Sequence, residues 1–356
     1  MSLSSEFTKK LIAWYKLERA HIPVPGRSER DPYPIWIAEV MLQQTQVETV
    51  WPYYRRWLDA FPDVASLARA ELDQVLKLWE GLGYYSRARN IHKAAKSIVN
   101  DYRGEFPRTS RTLITLPGIG PYTSAAIASM AFQEAVPLLD GNVLRVMTRL
   151  LRISSVVSLA STKEKIKVDL AEFMDKNQPG QFNQALMDLG RVICLPRRPL
   201  CSDCPLNTFC QAYAAGAVER YPVKPLKAEM PHYNIVIGLI RKQGSLLIQR
   251  RPETGLLGGL WEFPGGKVEP GEDQKEALLR EIREETALQV DINEKIATIK
   301  HAYTHFKITL TAYWCDWKSG TAQSLAATEN RWVTQDKLQA FAFPKANLKI
   351  LEKIQD

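Results

Sequence analysis

The chain has 356 residues, of which 45% are hydrophobic and 24% are charged, a composition typical of a folded globular protein. This length is long for one domain, so we expect two. No run of about 18 apolar residues occurs, and the N-terminal residues lack the apolar segment of a secretion signal. These features exclude a membrane protein and predict a cytoplasmic one.

The formal charge of +8 is unevenly distributed. Residues 1–230 contain 30 Lys and Arg against 23 Asp and Glu, whereas residues 231–356 contain 17 against 16. Basic proteins are common, but an excess confined to one region is better explained by a polyanionic partner such as nucleic acid.

The periodicity of apolar residues changes once along the chain. Residues 5–215 repeat apolar positions every three or four residues, which predicts helices joined by short Gly and Pro loops. From Tyr233 onward, β-branched and aromatic runs separated by turns predict strands. The predicted fold class is therefore multidomain, with an all-α domain followed by an α+β domain. The predicted boundaries are 1–220 for the helical domain, 221–231 for a proline-containing linker, and 232–356 for the second domain.

Residues 116–132, LPGIGPYTSAAIASMAF, place a Pro-Gly-x-Gly turn between two helical patterns. Gly118 and Gly120 allow a tight turn, and the free amides that open the second helix form an anion site. Such a helix-hairpin-helix grips DNA phosphates without reading sequence. Because glycine-rich helix connections are common, an ordinary turn remains an alternative.

Asp140 follows an apolar run and precedes Gly-Asn and a helical pattern. An aspartate there is usually a helix N-cap. A carboxylate held in apolar surroundings beside a phosphate-binding hairpin is equally suited to stabilising a sugar cation. Both interpretations stay open on the residues alone.

Four of the five cysteines, Cys194, Cys201, Cys204 and Cys210, are spaced C-x6-C-x2-C-x5-C, whereas Cys315 lies in a strand-like run typical of a buried thiol. Zinc is the general alternative for clustered cysteines, but structural zinc sites usually use paired CxxC motifs. The spacing resembles the [4Fe–4S] loop of the endonuclease III superfamily of DNA glycosylases, and we favour the cluster over zinc.

The chain as a whole resembles the MutY family of adenine DNA glycosylases within that superfamily. The matching stretches are AEVMLQQTQVETV (38–50), GLGYYSRARN (81–90), LDGNV (139–143) and a C-terminal Nudix-like region. The resemblance implies base-excision repair, with removal of adenine mispaired with 8-oxoguanine or guanine. It implies double-stranded DNA carrying that mispair as the partner, a monomer, and location with the nucleoid in a bacterium.

Chemistry and resemblance together assign the catalytic residues. Adenine leaves only when protonated, so two carboxylates with opposite roles are needed. Glu39, within the apolar stretch IWIAEVML, is expected to have a raised pKa and to protonate adenine, while Asp140 stabilises the sugar cation. The resemblance assigns Tyr122 and Asn142 to positioning these groups. Bifunctional relatives carry a lysine at the place of Tyr122, so no Schiff base is expected here.

The resemblance also predicts contacts to DNA, including side chains that fill the space left by the flipped adenine. The predicted DNA-binding residues are Arg27, Gln43, Gln44, Tyr84, Arg87, Gly118 and Gly120. One departure is that Gly26 stands where relatives commonly have tryptophan, which is expected to leave the adenine pocket more open.

Tyr303, Thr304 and His305 match the Phe-Ser-His turn with which MutY relatives inspect 8-oxoguanine. That lesion differs from guanine by an oxygen at C8 and a hydrogen on N7, so a hydroxyl and an imidazole are suitable readers. A polar hairpin turn is the alternative.

Residues 266–288 match the Nudix pattern G-x5-E-x7-R-E-U-x-E-E-x-G-U except for Ala287 in place of glycine. Glu281, Glu284 and Glu285 fall on one helical face, where like charges favour a bound cation such as Mg²⁺. A solvated helix paired through Arg280 is the alternative. The intact box makes hydrolysis of 8-oxo-dGTP the alternative function.

Overall fold

The computed structural model describes residues 3–18, 21, 23–27, 30–225, 230–303 and 305–354. Contacts between Cα atoms divide the chain into two units. The first unit comprises residues 1–69 and 90–227, and the second comprises residues 70–89 and 228–356. No helix in the described parts of the chain is long and apolar enough to cross a membrane.

Helices make up most of the regular structure of the first unit, as the apolar periodicity predicts. In chain order the helices of both units are α1 (Leu3–Glu18), α2 (Pro32–Met41), α3 (Val47–Ala60), α4 (Val64–Arg69), α5 (Leu72–Trp79), α6 (Ser86–Tyr102), α7 (Ser110–Leu113), α8 (Pro121–Phe132), α9 (Gly141–Leu150), α10 (Ala160–Phe173), α11 (Pro179–Val192), α12 (Gln211–Ala214), α13 (Gln274–Thr286) and α14 (Lys345–Lys353). Helices α5, α13 and α14 belong to the second unit, as does the first turn of α6.

The helices at the centre of the first unit begin at N-cap residues, and in two of them a proline follows the cap. Helix α2 begins at Pro32, and the preceding Asp31 accepts a hydrogen bond of 2.9 Å from the amide of Tyr33. Helix α8 has Gly120 as N-cap and a proline as its first residue, and α9 is capped by Asp140. Helix α2 packs on α8, and α11 packs on α9, α8 and α1. This packing brings α2, the start of α8 and the start of α9 together.

Residues 70–89 pack with the second unit, whereas the predicted boundary near residue 220 included them in the helical domain. Asp73 Oδ1 forms an ion pair of 2.7 Å with Arg250 Nη2. Glu80 Oε1 accepts a hydrogen bond of 2.9 Å from the amide of Phe343. These contacts join residues far apart in sequence, which explains why the pattern of the helix did not reveal them.

The second unit contains a six-stranded sheet. Its strands are β1 (His232–Lys242), β2 (Ser245–Arg250), β3 (Trp261–Glu262), β4 (Gln289–Ala302), β5 (Lys307–Ser319) and β6 (Glu329–Thr334). Their order is β3-β2-β1-β5-β4, with β6 also paired to β2. Strands β1 and β5 run parallel, with Ile235 opposite Leu310, and the other pairs are antiparallel.

Both faces of this sheet are covered, because successive side chains of a strand point to opposite sides. Val236 and Ile240 of β1 pack in the cluster that contains α13, whereas Ile237 and Leu239 pack in the cluster that contains α14. The predicted linker 221–231 is described only in part, because residues 226–229 lie outside the described residues.

Candidate active site

Glu39 is buried in the first unit, with only 1% of its surface exposed. The hydroxyl of Tyr122, at the start of α8, donates a short hydrogen bond to Glu39 Oε2. Burial raises the pKa of Glu39, opposed by the positive charge of Arg27 and by the hydrogen bond from Tyr122, and Asp140 raises the pKa further. The net direction is upward, so the environment favours the protonated form of this carboxyl.

Arg27 and Asp188 form a largely buried ion pair next to Glu39. Arg27 Nη1 lies 2.8 Å from Asp188 Oδ1, whereas its Nε lies 3.8 Å from Glu39 Oε1. The guanidinium therefore gives its closest contact to Asp188, which leaves Glu39 only partly compensated. Asp188 was not predicted from the sequence. A signal was present, since a carboxylate within the apolar run ALMDLG of α11 needs a buried cationic partner.

Asp140 is the N-cap of α9 and differs from Glu39 in its hydrogen bonds. Its Oδ1 accepts a bond of 2.6 Å from the amide of Val143, and its Oδ2 accepts one of 2.9 Å from Asn142 Nδ2. Burial raises the pKa of Asp140, and these two donors oppose the rise. Both donors and the positive end of the helix dipole stabilise the ionised form. The N-cap and the functional interpretations of Asp140 are thus compatible.

Arg145 fixes the orientation of Asn142. Arg145 Nη2 donates to Asn142 Oδ1 at 2.9 Å, which leaves the amide nitrogen of Asn142 directed at Asp140. The same guanidinium donates to the carbonyl oxygens of Gly190, at 2.6 Å, and Cys194, at 2.7 Å. A chain of hydrogen bonds therefore joins the first cysteine of the cysteine-rich loop to the carboxylate of Asp140.

Several of the predicted site residues line one cleft of about 950 Å³, whereas the buried Glu39 is not among its lining residues. The predicted residues Gln43, Gln44, Tyr122, Asp140 and Asn142 all line it. Gln43 Nε2 also donates a bond of 3.0 Å to Thr123 of α8, which holds this glutamine at the cleft wall. The cleft is large enough for an extrahelical nucleotide.

The turn between α7 and α8 has the geometry expected of a helix-hairpin-helix. Gly118 has a φ of +71°, and a Cβ atom there would lie 2.4 Å from the Cβ atom of Asn90. Only glycine fits this position, for reasons of both backbone conformation and space. Gly120 precedes the proline that starts α8, so the amides of the first turn of α8 lack partners within the helix.

The four clustered cysteines, Cys194, Cys201, Cys204 and Cys210, line one small and mostly apolar cavity of the first unit. Arg149 Nη1 donates to Cys194 Sγ at 3.3 Å and to the carbonyl oxygen of Leu195 at 2.7 Å. Within the described parts of the chain, no three His, Cys, Asp or Glu side chains are grouped so as to hold a single metal ion.

A second cavity, of about 360 Å³, lies within the second unit. Tyr84 and Ser86 contribute one wall, and Tyr303 and His305 contribute another. We call this cavity the base pocket. Tyr84 has a φ of +50° and is 36% exposed, and the guanidinium of Arg87 lies 5.4 Å from the centroid of its ring. Thr304, predicted to read the lesion, lies outside the described residues.

Two arginines predicted to contact DNA have little exposed surface. The Arg27 side chain is only 12% exposed and pairs with Asp188. Arg87 is 9% exposed, donates to the carbonyl oxygens of Leu82 and Gly83, and stacks on Trp79. Burial lowers the pKa of Arg87 to about 10. Arg27 therefore lies beside Asp188 and Glu39, and Arg87 holds the loop that carries Tyr84.

The glutamates of the Nudix box are engaged by neighbouring protein groups. Glu281 and Glu284 lie 3.0 and 3.4 Å from Arg280 Nη1, and the same guanidinium pairs with Glu272. Glu285 Oε2 accepts from the amide of Gly265 at 2.9 Å and from a glutamine of β2, and burial raises the pKa of Glu285 to about 7.

Comparisons with known proteins agree with both units. The family model for the HhH-GPD superfamily of base excision DNA repair proteins matches residues 37–176, and the NUDIX domain model matches residues 236–353. The adenine DNA glycosylase of Rattus norvegicus is 33% identical over an alignment that covers 98% of this chain and 78% of the rat protein. The chain belongs to the adenine DNA glycosylase family.

Two solved structures share the fold of the helical region of this chain. A thermostable thymine-DNA glycosylase is 28% identical, with a TM-score of 0.54, and the match covers 60% of this chain and 97% of that chain. Endonuclease III, in a non-covalent complex with DNA, has a TM-score of 0.51 at 23% identity, over 61% of this chain and 99% of that chain. The predicted family and the predicted fold class, a helical glycosylase domain with an α+β Nudix domain, are confirmed.

Proposed function

We propose that this protein is a monofunctional DNA glycosylase that removes adenine paired with 8-oxoguanine. The observation that carries the proposal is the buried Glu39, hydrogen-bonded by Tyr122, which lines the same cleft as Asp140. Family membership supports adenine as the base removed. The two carboxyls supply the acid and the anion that the reaction needs.

The reaction begins with proton transfer from Glu39 to N7 of the flipped adenine. Protonation makes the base a better leaving group, and the bond between C1′ and N9 then breaks with its electron pair moving to the base. The raised pKa of Glu39 favours the protonated carboxyl, which is the form that supplies this proton. The Glu39 carboxylate formed in this step accepts a proton from the attacking water, which restores the acid.

Asp140 stabilises the positive charge that develops on the sugar. Its oxygens are fixed by the amides of Val143 and Asn142, so the carboxylate does not need to reorient when the charge appears. Arg145 orients Asn142 and thereby acts as a positioning residue for Asp140.

The absence of strand cleavage follows from Tyr122. Its hydroxyl is committed to Glu39, and a phenol cannot form a Schiff base with the sugar. We expect an adenine-containing duplex treated with the protein to remain intact until heated in alkali. Borohydride is expected to trap no protein–DNA adduct. Nicking without alkali, together with a trapped adduct, would contradict the monofunctional mechanism.

Recognition of 8-oxoguanine is assigned to the base pocket. Supporting this assignment, Tyr84 and the turn of Tyr303 and His305 line the same cavity. The ring of Tyr303 packs against those of His301 and Phe306, with centroids 4.6 and 4.8 Å apart, which holds this side of the pocket in place. Aromatic side chains can stack on a nucleobase, and an imidazole can form a hydrogen bond with the edge of that base.

We expect His305→Ala to lower the preference for 8-oxoguanine. The single-turnover rate of adenine release opposite 8-oxoguanine should fall about tenfold, the value of one or two hydrogen bonds, while the rate opposite guanine changes little. The same change at His21, an exposed histidine of the first unit that does not line the base pocket, is the control. An equal loss on both duplexes would contradict a role in reading the lesion.

We also propose that the four cysteines bind a [4Fe–4S] cluster. Four thiols that line one mostly apolar cavity form a suitable donor set, and the Arg149 guanidinium beside Cys194 offsets thiolate charge. A bound cluster would cross-link residues 194–210 and so fix the carbonyl of Cys194 that holds Arg145.

A further inference from the structure

An open concavity of about 530 Å³ lies on the sheet of the second unit, across β1, β5 and β4. We call it the basic platform. It is lined by Met230, His232, Lys300, His301, Ala302, Lys307, Ile308 and Thr309. In the sheet register His232 lies opposite Lys307, and Thr309 lies opposite Lys300, so the side chains of these four residues share one face.

The platform is continuous with the base pocket. His301 and Ala302 line both concavities, and Lys345 of α14 lines the base pocket. Burial lowers the pKa of His301, and the positive charges of Lys349 and Lys345 lower it further. Lysines of α14 therefore lie close to the ring that separates the two concavities.

Charge is segregated on this part of the unit. Residues 231–356 carry 17 Lys and Arg against 16 Asp and Glu, so the region is nearly neutral overall. Among the described residues, neither the base pocket nor the platform is lined by an acidic side chain, whereas Arg89, Lys345, Lys300 and Lys307 line one or the other. Many of the glutamates lie instead around α13, in the Nudix box. Such a concentration of lysines attracts a polyanion.

We propose that the basic platform binds the phosphodiester backbone of the DNA strand whose 8-oxoguanine occupies the base pocket. This inference rests on the function proposed above and adds a binding surface to it. Lys300 and Lys307 are the principal contacts, because both are exposed and both line the platform next to residues that it shares with the base pocket.

The two lysines are neighbours on the sheet. Lys307 lies opposite Ala302, two residues from Lys300, so the two lysines are diagonal neighbours with Cβ atoms roughly 7 Å apart. Two lysines placed side by side can each contact a different phosphate of one strand.

The test measures how salt weakens binding to a duplex that carries 8-oxoguanine opposite a non-cleavable fluorinated adenosine. Fluorescence anisotropy gives Kd between 50 and 200 mM NaCl for the wild type and for the double variant Lys300→Gln, Lys307→Gln. Because each lost phosphate contact reduces the slope of log Kd against log salt by about 0.9, we expect the slope to fall by about 1.8. The double variant Lys300→Arg, Lys307→Arg should retain the wild-type slope.

The matched control removes two exposed lysines of the same unit that line neither concavity, in Lys275→Gln, Lys337→Gln. Its slope should equal that of the wild type. Equal slopes for the platform variant and the wild type, or an equal fall in the control, would overturn the proposal. So would a platform variant that loses competition by free 8-oxo-dGTP while its duplex slope is unchanged.

This result can be separated from a failure of the proposed function. A wild-type protein that binds the duplex with the expected salt dependence but releases no adenine would contradict the glycosylase assignment alone. Adenine release by a wild-type protein whose platform variant has an unchanged slope would contradict the platform alone.

Discussion

Replacing Glu39 with glutamine is expected to lower the single-turnover rate of adenine release by about a thousandfold, within the range for loss of a general acid. Glutamine has nearly the same shape, but it cannot give a proton to N7 or accept one from water. The amide can still accept the hydrogen bond from Tyr122, so the arrangement of α2 and α8 should persist. The rate is measured with protein in excess over an adenine:8-oxoguanine duplex.

Two controls accompany this measurement. Glu172→Gln makes the same change on an exposed position of α10 and should leave the rate unchanged. The affinity of Glu39→Gln for a duplex with non-cleavable adenosine should stay within about threefold of the wild type, since Glu39 is buried and acts on the base. A Glu39→Gln rate near that of the wild type would refute the role of Glu39 as the acid.

Replacing Asp140 with asparagine should slow adenine release by about a hundredfold to a thousandfold, a loss similar to that of one preorganised electrostatic group. Asparagine caps helices as well as aspartate does, so α9 should remain stable. What is lost is the negative charge facing the sugar. Single-turnover kinetics on the same duplex measures the effect, and thermal unfolding checks that the fold persists.

Asp101→Asn, an exposed substitution at the end of α6, is the matched control for Asp140→Asn and should behave as the wild type. The Asp140 interpretation would be refuted if Asp140→Asn unfolded at a much lower temperature but, once folded, released adenine at the wild-type rate. That pattern would leave Asp140 with only its capping role.

Local patterns were sufficient to predict the centre of the candidate site. The apolar neighbours of Glu39 predicted that it is buried. The position of Asp140 before a helical pattern predicted that it caps the N-terminus of that helix. The Pro-Gly-x-Gly sequence predicted a turn that only glycine at position 118 permits. Each of these inferences depends on residues within one turn of helix.

The features that the sequence did not reveal are contacts between residues that lie far apart along the chain. Arg27 was predicted as a DNA-binding residue, and its ion pair with Asp188, which is 161 positions later in the printed sequence, was not predicted. Residues 70–89 were assigned to the helical domain. The amphipathic pattern of a helix such as α5 shows that one of its faces is buried, but it does not show which part of the chain covers that face. Their contacts with Arg250 and Phe343 place Tyr84 in the same unit as Tyr303 and His305.

The most direct test of the proposed function is release of free adenine from a duplex in which adenine faces 8-oxoguanine. Purified wild-type protein, in excess over the duplex, should release one adenine per duplex, leave an alkali-sensitive abasic site and cause no strand break before alkali. The same strand paired with thymine should remain unchanged. Failure to release adenine from the 8-oxoguanine duplex by protein that binds it, or equal release from the thymine duplex, would contradict the account.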